Sequence, residues 1–201
     1  MLRIIGGFHK SRKIKEVNSE LTRPTTDRNK EAIFNILGQY FDGGVMLDLF
    51  AGSGALGIEA ISRGIDEVDF IESNSLAIKT IKDNLNTLKI IENVFVIKQD
   101  VFDYLNTTTK NYDLIIADPP YTLNQYDKLL ELIVSRQLLN NDGIIVFEAN
   151  KNTELLEGKR NIIKYKEKVF GNTKFAFYST EEWLWKLDIT QEVLTLLHLV
   201  M

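Results

Sequence analysis

Short apolar runs alternate with amphipathic segments along most of the chain, and this alternation predicts a parallel sheet. Five runs are apolar at successive positions, as expected for strands buried on both faces: 45–50, 68–71, 94–97, 112–117 and 143–147. Segments with apolar residues at helical spacing fall between them, at 55–63, 75–88, 101–106 and 124–136. Strands that alternate with helices are typical of a sheet covered by helices on both sides.

The pattern changes near the carboxyl end, where two apolar runs follow each other without a helix. These runs, 162–170 and 175–178, are separated by Gly171-Asn172, a dipeptide that favours a tight hairpin turn. We therefore predict an α/β fold with a doubly wound, mostly parallel, seven-stranded sheet that ends in an antiparallel hairpin.

The amino-terminal segment does not share this alternation. Residues 1–26 show an irregular or β-like pattern, and Thr25-Thr26-Asp27 then offers a helix cap with an acid in the first turn. Apolar residues recur at helical spacing from Ile33 to Tyr40, and Gly43-Gly44 is predicted to end that helix. We predict an arm at 1–26, a single domain at 27–180 and an atypical tail at 181–201, whose apolar run could form an extra amphipathic helix.

Composition and charge narrow the possible functions. The 201 residues suit one domain, and the absence of cysteine excludes disulfides, thiolate metal sites and cysteine nucleophiles. Residues 1–30 carry eight Lys or Arg against three Asp or Glu, a net charge of +5, whereas the other 171 residues carry −9. This asymmetry is typical of a basic nucleic-acid-binding arm on an acidic body, although a solvated charged terminus is the alternative. No signal peptide and no apolar run near 18 residues is visible, so we expect a cytoplasmic protein without a membrane partner.

A glycine-rich segment follows the first predicted strand and opens a helix. Gly52, Gly54 and Gly57 form a G-x-G-x-x-G pattern, and Glu72 ends the next strand. The glycines let a ligand approach the backbone, the helix start offers free N–H donors, and an acid at that place can bind ribose hydroxyls. These features predict a site for an adenosine-type cofactor without choosing between NAD and S-adenosylmethionine, and a structural glycine turn remains the alternative.

Two aspartates lie beside this segment. Asp48 places a carboxylate inside an apolar strand, where a charge is costly unless it is paired, and a sulfonium with an adjoining ammonium could supply the pairing. Asp100 follows the third strand and is placed to cap the helix at 101–106.

The fourth strand ends in the tetrapeptide Asp118-Pro119-Pro120-Tyr121. Ligands of doubly wound sheets bind beyond the carboxyl ends of the strands, so the tetrapeptide should face the cofactor. Asp118 and the Pro119 carbonyl could accept hydrogen bonds from the two N–H groups of an exocyclic amino group, which would free its lone pair for attack. Tyr121 could stack on the base. A Pro-Pro turn with a surface tyrosine is the alternative.

Several of these motifs resemble those of a known enzyme family. The segment 48–54 resembles the D-x-F-x-G-x-G motif of class I methyltransferases, and Asp118-Pro119-Pro120-Tyr121 resembles the fourth motif of enzymes that methylate amino nitrogens of bases. Three further segments narrow the resemblance: Arg3-Ile4-Ile5-Gly6-Gly7, residues 21–28, which contain the sequence Arg-Pro-Thr-Thr-Asp-Arg, and Ala32-Ile33-Phe34-Asn35. Over about residues 2–180 the chain is similar to the D-type family of bacterial 16S rRNA guanine-N2 methyltransferases, which modify the small ribosomal subunit.

The resemblance implies a single class I methyltransferase domain of Rossmann-like fold that uses S-adenosyl-L-methionine. The residues implied to bind this cofactor are Asp48, Phe50, Gly52, Ser53, Gly54, Glu72, Asp100 and Val101. Asp100 would lie by the adenine amino group. The residues implied to be catalytic are Asp118, Pro119, Pro120 and Tyr121. No metal is implied.

The resemblance also implies a partner, 16S ribosomal RNA within an assembling small subunit, and a reaction at the amino nitrogen of guanine 966. Arg12, Arg23, Thr25 and Arg28 are the candidate RNA-binding residues, and a monomer is expected. The residues from 159 to 174 hold six Lys or Arg against Glu167 alone and could extend the RNA footprint, or could be a plain solvated face.

Three other functions share some of these features. A DNA adenine-N6 or cytosine-N4 methyltransferase would share the tetrapeptide, but such enzymes usually carry an inserted target-recognition domain, and no such insertion is visible. An NAD-dependent oxidoreductase would use the glycines and leave Asp48 and the tetrapeptide unexplained. A catalytically silent RNA-binding protein is the third alternative.

Overall fold

The computed structural model describes residues 1–17, 27–120 and 124–186. A two-stranded hairpin and a helix come first, and strands and helices then alternate. In chain order the elements are β1 (Leu2–Arg3), β2 (Lys13–Ile14), α1 (Asp27–Leu37), β3 (Val45–Leu49), α2 (Ala55–Ser62), β4 (Glu67–Glu72), α3 (Ser75–Leu88), β5 (Val94–Lys98), α4 (Val101–Thr107), β6 (Tyr112–Ala117), α5 (Tyr126–Ser135), β7 (Leu139–Asn150), β8 (Gly158–Lys159), β9 (Ile162–Phe170), β10 (Thr173–Thr180) and α6 (Glu181–Lys186).

The main sheet has the strand order β5-β4-β3-β6-β7-β10-β9-β8. The first five strands in this order run parallel, and β10 is antiparallel to both β7 and β9. The turn between β9 and β10 is Gly171-Asn172, with Gly171 at a φ of 62°. The predicted doubly wound sheet with its closing hairpin is confirmed, and the two-residue β8 adds an eighth strand at the edge that is too short to leave a periodic signal.

Apolar side chains cover both faces of the sheet, as the continuous apolar runs predicted. Along β3, Met46 faces one core and Leu47 faces the other. The first core includes Phe34 of α1, and α2 and α3 also contribute to it. The second core contains Leu105 of α4 and Leu129 of α5. Burial on both faces explains why these strands alternate so little between apolar and polar residues.

The prediction for the first helix was wrong at its carboxyl end. The helix ends at Leu37, and the next residue, Gly38, has a φ of 115°. This backbone conformation suits glycine and does not continue a helix. Tyr40 therefore lies beyond the helix and is 71% exposed. The predicted cap at Thr25-Thr26 lies outside the described residues.

The amino-terminal arm is fastened to the domain by buried side chains. The Glu59 carboxylate accepts hydrogen bonds from the backbone N–H groups of Ile5 (2.9 Å) and Gly6 (2.7 Å) and forms an ion pair with Arg63 (2.8 Å). Lys30 donates to the Arg3 carbonyl and is fully buried, so burial lowers its pKa. Part of the basic charge counted over residues 1–30 is therefore internal to the protein.

Helix α6 packs against the sheet. The Trp183 ring lies 5.5 Å from the Tyr165 ring between centroids, and Leu184 is buried. The rest of the predicted tail, 187–201, lies outside the described residues. Within the described part of the chain, no helix is both long enough and apolar enough to cross a membrane.

Candidate active site

The glycine segment lies at the carboxyl end of β3, next to β6, where the strand order reverses direction. Because the strand order reverses between β3 and β6, a crevice forms at this edge of the sheet. Ligands of such folds bind in this crevice. Gly52 and Gly54 have φ values of 55° and 76°, and the Gly54 N–H donates to the Ala51 carbonyl over 2.7 Å. Phe50 also has a positive φ, 59°, which is uncommon for a residue with a side chain. The sequence-predicted loop is thus a tight turn that leads into α2.

The third glycine serves packing. A Cβ atom on Gly57 would lie 2.3 Å from a ring carbon of Phe70 and 3.0 Å from a carboxylate oxygen of Asp48. Only a residue without a side chain allows α2 to approach β4 this closely, so the role of Gly57 is to bring the helix start against the sheet.

Asp48 is buried inside β3, at 2% exposure, and its Oδ2 accepts a hydrogen bond from the Gly57 N–H over 3.0 Å. Burial raises the pKa of Asp48 well above its usual range, and the negative charges of Asp118 and Glu72 raise it further. The carboxyl groups of Asp118 and Glu72 therefore lie close enough to Asp48 to affect its ionisation at this edge of the sheet. Such a site favours a positively charged ligand, because a cation would relieve their repulsion.

The raised pKa of Asp48 gives a testable result. A carboxyl group whose pKa is higher in the folded state costs stability as the pH rises above its unfolded pKa. We expect Asp48→Asn to raise the melting temperature of the cofactor-free protein at pH 8 and to change it less at pH 5, since an amide oxygen can still accept from Gly57. Each kcal/mol gained corresponds to about 2–4 °C. The exposed Asp66→Asn is the control, and an equal change at both pH values would contradict the assignment.

Glu72 ends β4 and holds the glycine segment in place. Its Oε2 accepts a hydrogen bond from the Gly52 N–H over 3.0 Å, and its Oε1 accepts one from the Asn74 N–H over 2.8 Å. Asn74 in turn caps α3. The predicted acid therefore lies beside the predicted loop, twenty positions away along the chain.

Asp100 caps α4. Its Oδ1 accepts from the backbone N–H groups of Phe102 (2.8 Å) and Asp103 (3.2 Å), which confirms the capping interpretation. Val101 is the first residue of the helix and is buried. A role for Asp100 at an adenine amino group stays a prediction.

Asp118-Pro119-Pro120 begins directly after β6. The Asp118 N–H lies 3.4 Å from the Leu49 carbonyl, so the segment starts beside the end of β3. The Asp118 charge also acts on Asp48, which places the two carboxyl groups near each other. Tyr121 lies outside the described residues. Among the described residues there is no group of side chains that could hold a metal ion.

Comparison with known proteins identifies the family to which this site belongs. A family model described as "Conserved hypothetical protein 95" matches residues 2–179. The chain belongs to this family. Relatives that match the same part of the chain are named ribosomal RNA small subunit methyltransferase D, and together with the family match they confirm the resemblance to a D-type class I S-adenosylmethionine-dependent methyltransferase.

Individual relatives cover nearly all of the matched region of this methyltransferase. The "Putative rRNA methyltransferase YlbH" of Bacillus subtilis is 42% identical over 180 residues, covering 88% of this chain and 98% of the relative. "Ribosomal RNA small subunit methyltransferase D" of Haemophilus influenzae is 36% identical over 180 residues, covering 88% of this chain and 93% of the relative. The solved structure of "Putative methyltransferase yhhF from Escherichia coli" is 30% identical, covers 90% of this chain and 98% of that one, and superposes with a TM-score of 0.78.

The candidate RNA-binding residues of the methyltransferase divide into three groups. The Arg12 guanidinium donates to the Thr87 carbonyl (2.8 Å) and contacts that of Leu88 (3.4 Å), so it also caps the end of α3. Arg28 is exposed on the first turn of α1. Arg23 and Thr25 lie outside the described residues. The RNA-binding role of all four stays a prediction.

Sequence reasoning missed Phe8. This residue lies between the two strands of the arm and is 97% exposed, which is unusual for a phenylalanine. Lys10 and Lys13 follow it and are also exposed. The available signal was a phenylalanine next to a run of basic residues.

The second basic stretch is partly neutralised. Lys164 forms ion pairs with Glu157 (2.6 Å) and Glu167 (3.3 Å), and Lys174 pairs with Glu167 (3.1 Å). Its Lys166 and Lys168 remain exposed. This arrangement favours the interpretation of a salt-bridged surface over that of an RNA footprint.

Proposed function

We propose that this methyltransferase transfers a methyl group from S-adenosyl-L-methionine to the exocyclic N2 of a guanine in 16S rRNA, within an assembling small ribosomal subunit. The observation that carries the proposal is the position of Asp118-Pro119-Pro120 beside the end of β3 and near buried Asp48. Relatives named "Ribosomal RNA small subunit methyltransferase D", from Haemophilus influenzae and Escherichia coli, support the choice of RNA. Such a substrate implies a cytoplasmic enzyme.

The acidic crevice fits this cofactor. S-Adenosylmethionine carries a sulfonium and an ammonium, and it supplies a methyl group bound to positively charged sulfur. Asp48 and Glu72 offer carboxyl groups to pair with this charge, and a bound cation would favour the ionised form of Asp48, whose pKa burial raises in the cofactor-free protein. Glu72 would hold the ribose hydroxyls, because a carboxylate has about four acceptor positions and its two backbone bonds leave others available.

The catalytic proposal rests on the chemistry of an amino group conjugated with a ring. Its lone pair is delocalised into the base, so the nitrogen is a poor nucleophile. Asp118 and the Pro119 carbonyl would accept hydrogen bonds from its two N–H groups. These bonds would hold the nitrogen near-tetrahedral and free its lone pair. The Asp118 charge would also stabilise the positive charge that develops on the nitrogen. Tyr121 would stack on the base.

Replacing Glu72 tests the cofactor site. We expect Glu72→Ala to weaken cofactor binding by about 1.5–3 kcal/mol, the range for hydrogen bonds to a charged group. The variant also removes the acceptor for the Gly52 N–H, which adds to the loss. Calorimetry with S-adenosylhomocysteine measures the effect, and Glu67→Ala at the other end of the same strand is the matched control. Equal affinity of Glu72→Ala and the unmodified protein would contradict the assignment.

The exposed aromatic of the arm gives a prediction about RNA. Phe8 is exposed and would stack on an unpaired base, and the nearby lysines would contact phosphates. We expect Phe8→Ala to weaken binding of small subunits by about 1–3 kcal/mol, the value of one stacked base, without changing cofactor affinity. Filter binding at fixed salt measures it. Trp185→Ala removes another exposed aromatic, on α6, and should bind normally; equal losses in both variants would show that the effect is not specific to the arm.

The proposal is tested in cells by mapping modified bases of 16S rRNA after deletion of this gene. One N2-methylguanosine should disappear and should return when the gene is restored. An unchanged set of modified bases would contradict the proposed substrate.

A further inference from the structure

Asn84 connects the arm to the glycine segment through one side chain. It lies in α3 and is 1% exposed. Its Oδ1 accepts from the Lys15 N–H over 2.7 Å, and its Nδ2 donates to the Lys15 carbonyl over 3.0 Å. The same Nδ2 donates to the Ser53 carbonyl over 3.0 Å. Both N–H bonds of the amide are therefore used, one on the arm and one on the cofactor loop.

The amide can hold these partners in one orientation only. A reversed amide would place Nδ2 against the Lys15 N–H and would place Oδ1 against two carbonyl oxygens, those of Lys15 and Ser53. Each of these pairings is repulsive. A displacement of the arm at Lys15 therefore acts on the position of the Ser53 carbonyl through a fixed donor.

The Ser53 carbonyl matters because it helps to set the conformation of the loop. In the peptide that joins Ser53 to Gly54, the carbonyl accepts a hydrogen bond from Asn84 and the N–H donates one to the Ala51 carbonyl. The N–H of Gly52, two residues before Gly54, donates to Glu72. Without Asn84, one of these fixed points of the proposed cofactor loop is lost.

Lys15 marks the point where the arm leaves the hairpin. β2 ends at Ile14, and Asn84 pairs with both backbone groups of the next residue, as a neighbouring strand would. The chain then continues toward residues 18–26, which include the RNA-binding candidates Arg23 and Thr25. Asn84 thus contacts the arm at the residue that directly follows the hairpin.

We propose that Asn84 is a positioning residue that couples RNA binding by the arm to cofactor binding by the glycine loop. The inference rests on the proposed function. RNA bound to the arm would favour the loop conformation that binds the cofactor, and by thermodynamic reciprocity the cofactor would favour RNA binding by the same factor. Neither ligand needs to touch Asn84.

The coupling is measured as a ratio of affinities. The dissociation constant of labelled S-adenosylhomocysteine is determined with and without small subunits from cells that lack this gene. We expect the unmodified protein to bind about 5-fold or more tightly in the presence of subunits, the lower end for coupled sites. In Asn84→Ala the ratio should fall to near one, even if both separate affinities change. A simple loss of stability would not produce this result, because it would not alter the ratio.

Asp83→Asn is the matched control. Asp83 lies next to Asn84 on α3 and forms an exposed ion pair with the Lys15 side chain. The substitution removes this ion pair and leaves the Asn84 amide in place. Its ratio should equal that of the unmodified protein. A ratio retained in Asn84→Ala, or a ratio of one in the unmodified protein, would overturn the inference. Failure of the unmodified protein to bind either ligand would overturn the proposed function together with it.

Hydrogen exchange on the unmodified protein gives a second test that does not depend on a variant. The Lys15 N–H is bonded to Asn84, so S-adenosylhomocysteine alone should slow its exchange along with that of Gly52 and Gly54. Slower exchange confined to the loop would contradict the coupling while leaving the cofactor site intact.

Discussion

Replacing Asp118 by alanine is expected to slow methyl transfer by two to three orders of magnitude while leaving cofactor affinity nearly unchanged. The proposed interaction of Asp118 strengthens as the target nitrogen gains positive charge, so its loss belongs in kcat. Loss of about 3–4 kcal/mol of transition-state stabilisation corresponds to this change in rate. Single-turnover kinetics with unmodified small subunits measures it directly.

Asp118→Asn separates charge from hydrogen bonding. The amide keeps the shape of the side chain and one acceptor oxygen but removes the negative charge. We expect the single-turnover rate of Asp118→Asn to lie between that of Asp118→Ala and that of the unmodified protein. A single-turnover rate of Asp118→Ala within threefold of the unmodified rate would show that Asp118 has a structural role.

Replacing Glu59 by alanine is expected to give the largest loss of stability, about 3–5 kcal/mol, the cost of breaking a buried ion pair by removing one partner. The change leaves the N–H groups of Ile5 and Gly6 without their acceptor. It also removes the counter-ion of buried Arg63 and one of the two negative charges near Lys30. Because burial already lowers the pKa of Lys30 and the charge of Glu59 raises it, the pKa of Lys30 should fall further.

Urea unfolding measures the effect of Glu59→Ala. Glu31→Ala, an exposed glutamate on α1, is the control and should stay within about 0.5 kcal/mol of the unmodified protein. A loss below about 1 kcal/mol in Glu59→Ala would contradict the role of Glu59 as the fastening point of the arm.

The sheet could be predicted because its strands are buried on both faces. Such burial leaves continuous apolar runs, and Tyr112–Ala117 has the predicted bounds. Ile162–Phe170 also has its predicted bounds, but it is exposed over much of its length and was indicated by the turn signal at Gly171-Asn172. A shared location for Glu72 and the glycine segment was also expected, because the carboxyl ends of adjacent parallel strands meet at one edge of the sheet, whereas their direct hydrogen bond was not.

Other features could not be predicted because they depend on distant partners. Glu59 lies in a helical pattern, and nothing near it in sequence shows that its carboxylate accepts from Ile5 and Gly6, more than fifty positions away. Asn84 resembles any polar helix residue until its contact with Ser53 is seen. The hairpin of the arm has strands of only two residues, so no period is available to detect it.

The most direct test of the central claim uses the purified protein, methyl-labelled S-adenosylmethionine and small subunits from cells that lack this gene. The RNA is digested to nucleosides after the reaction. We predict label in N2-methylguanosine from a single position of 16S rRNA, and almost none when Asp118→Ala replaces the unmodified protein. Label in another nucleoside, or no transfer by a folded protein that binds NAD tightly, would contradict the proposed activity.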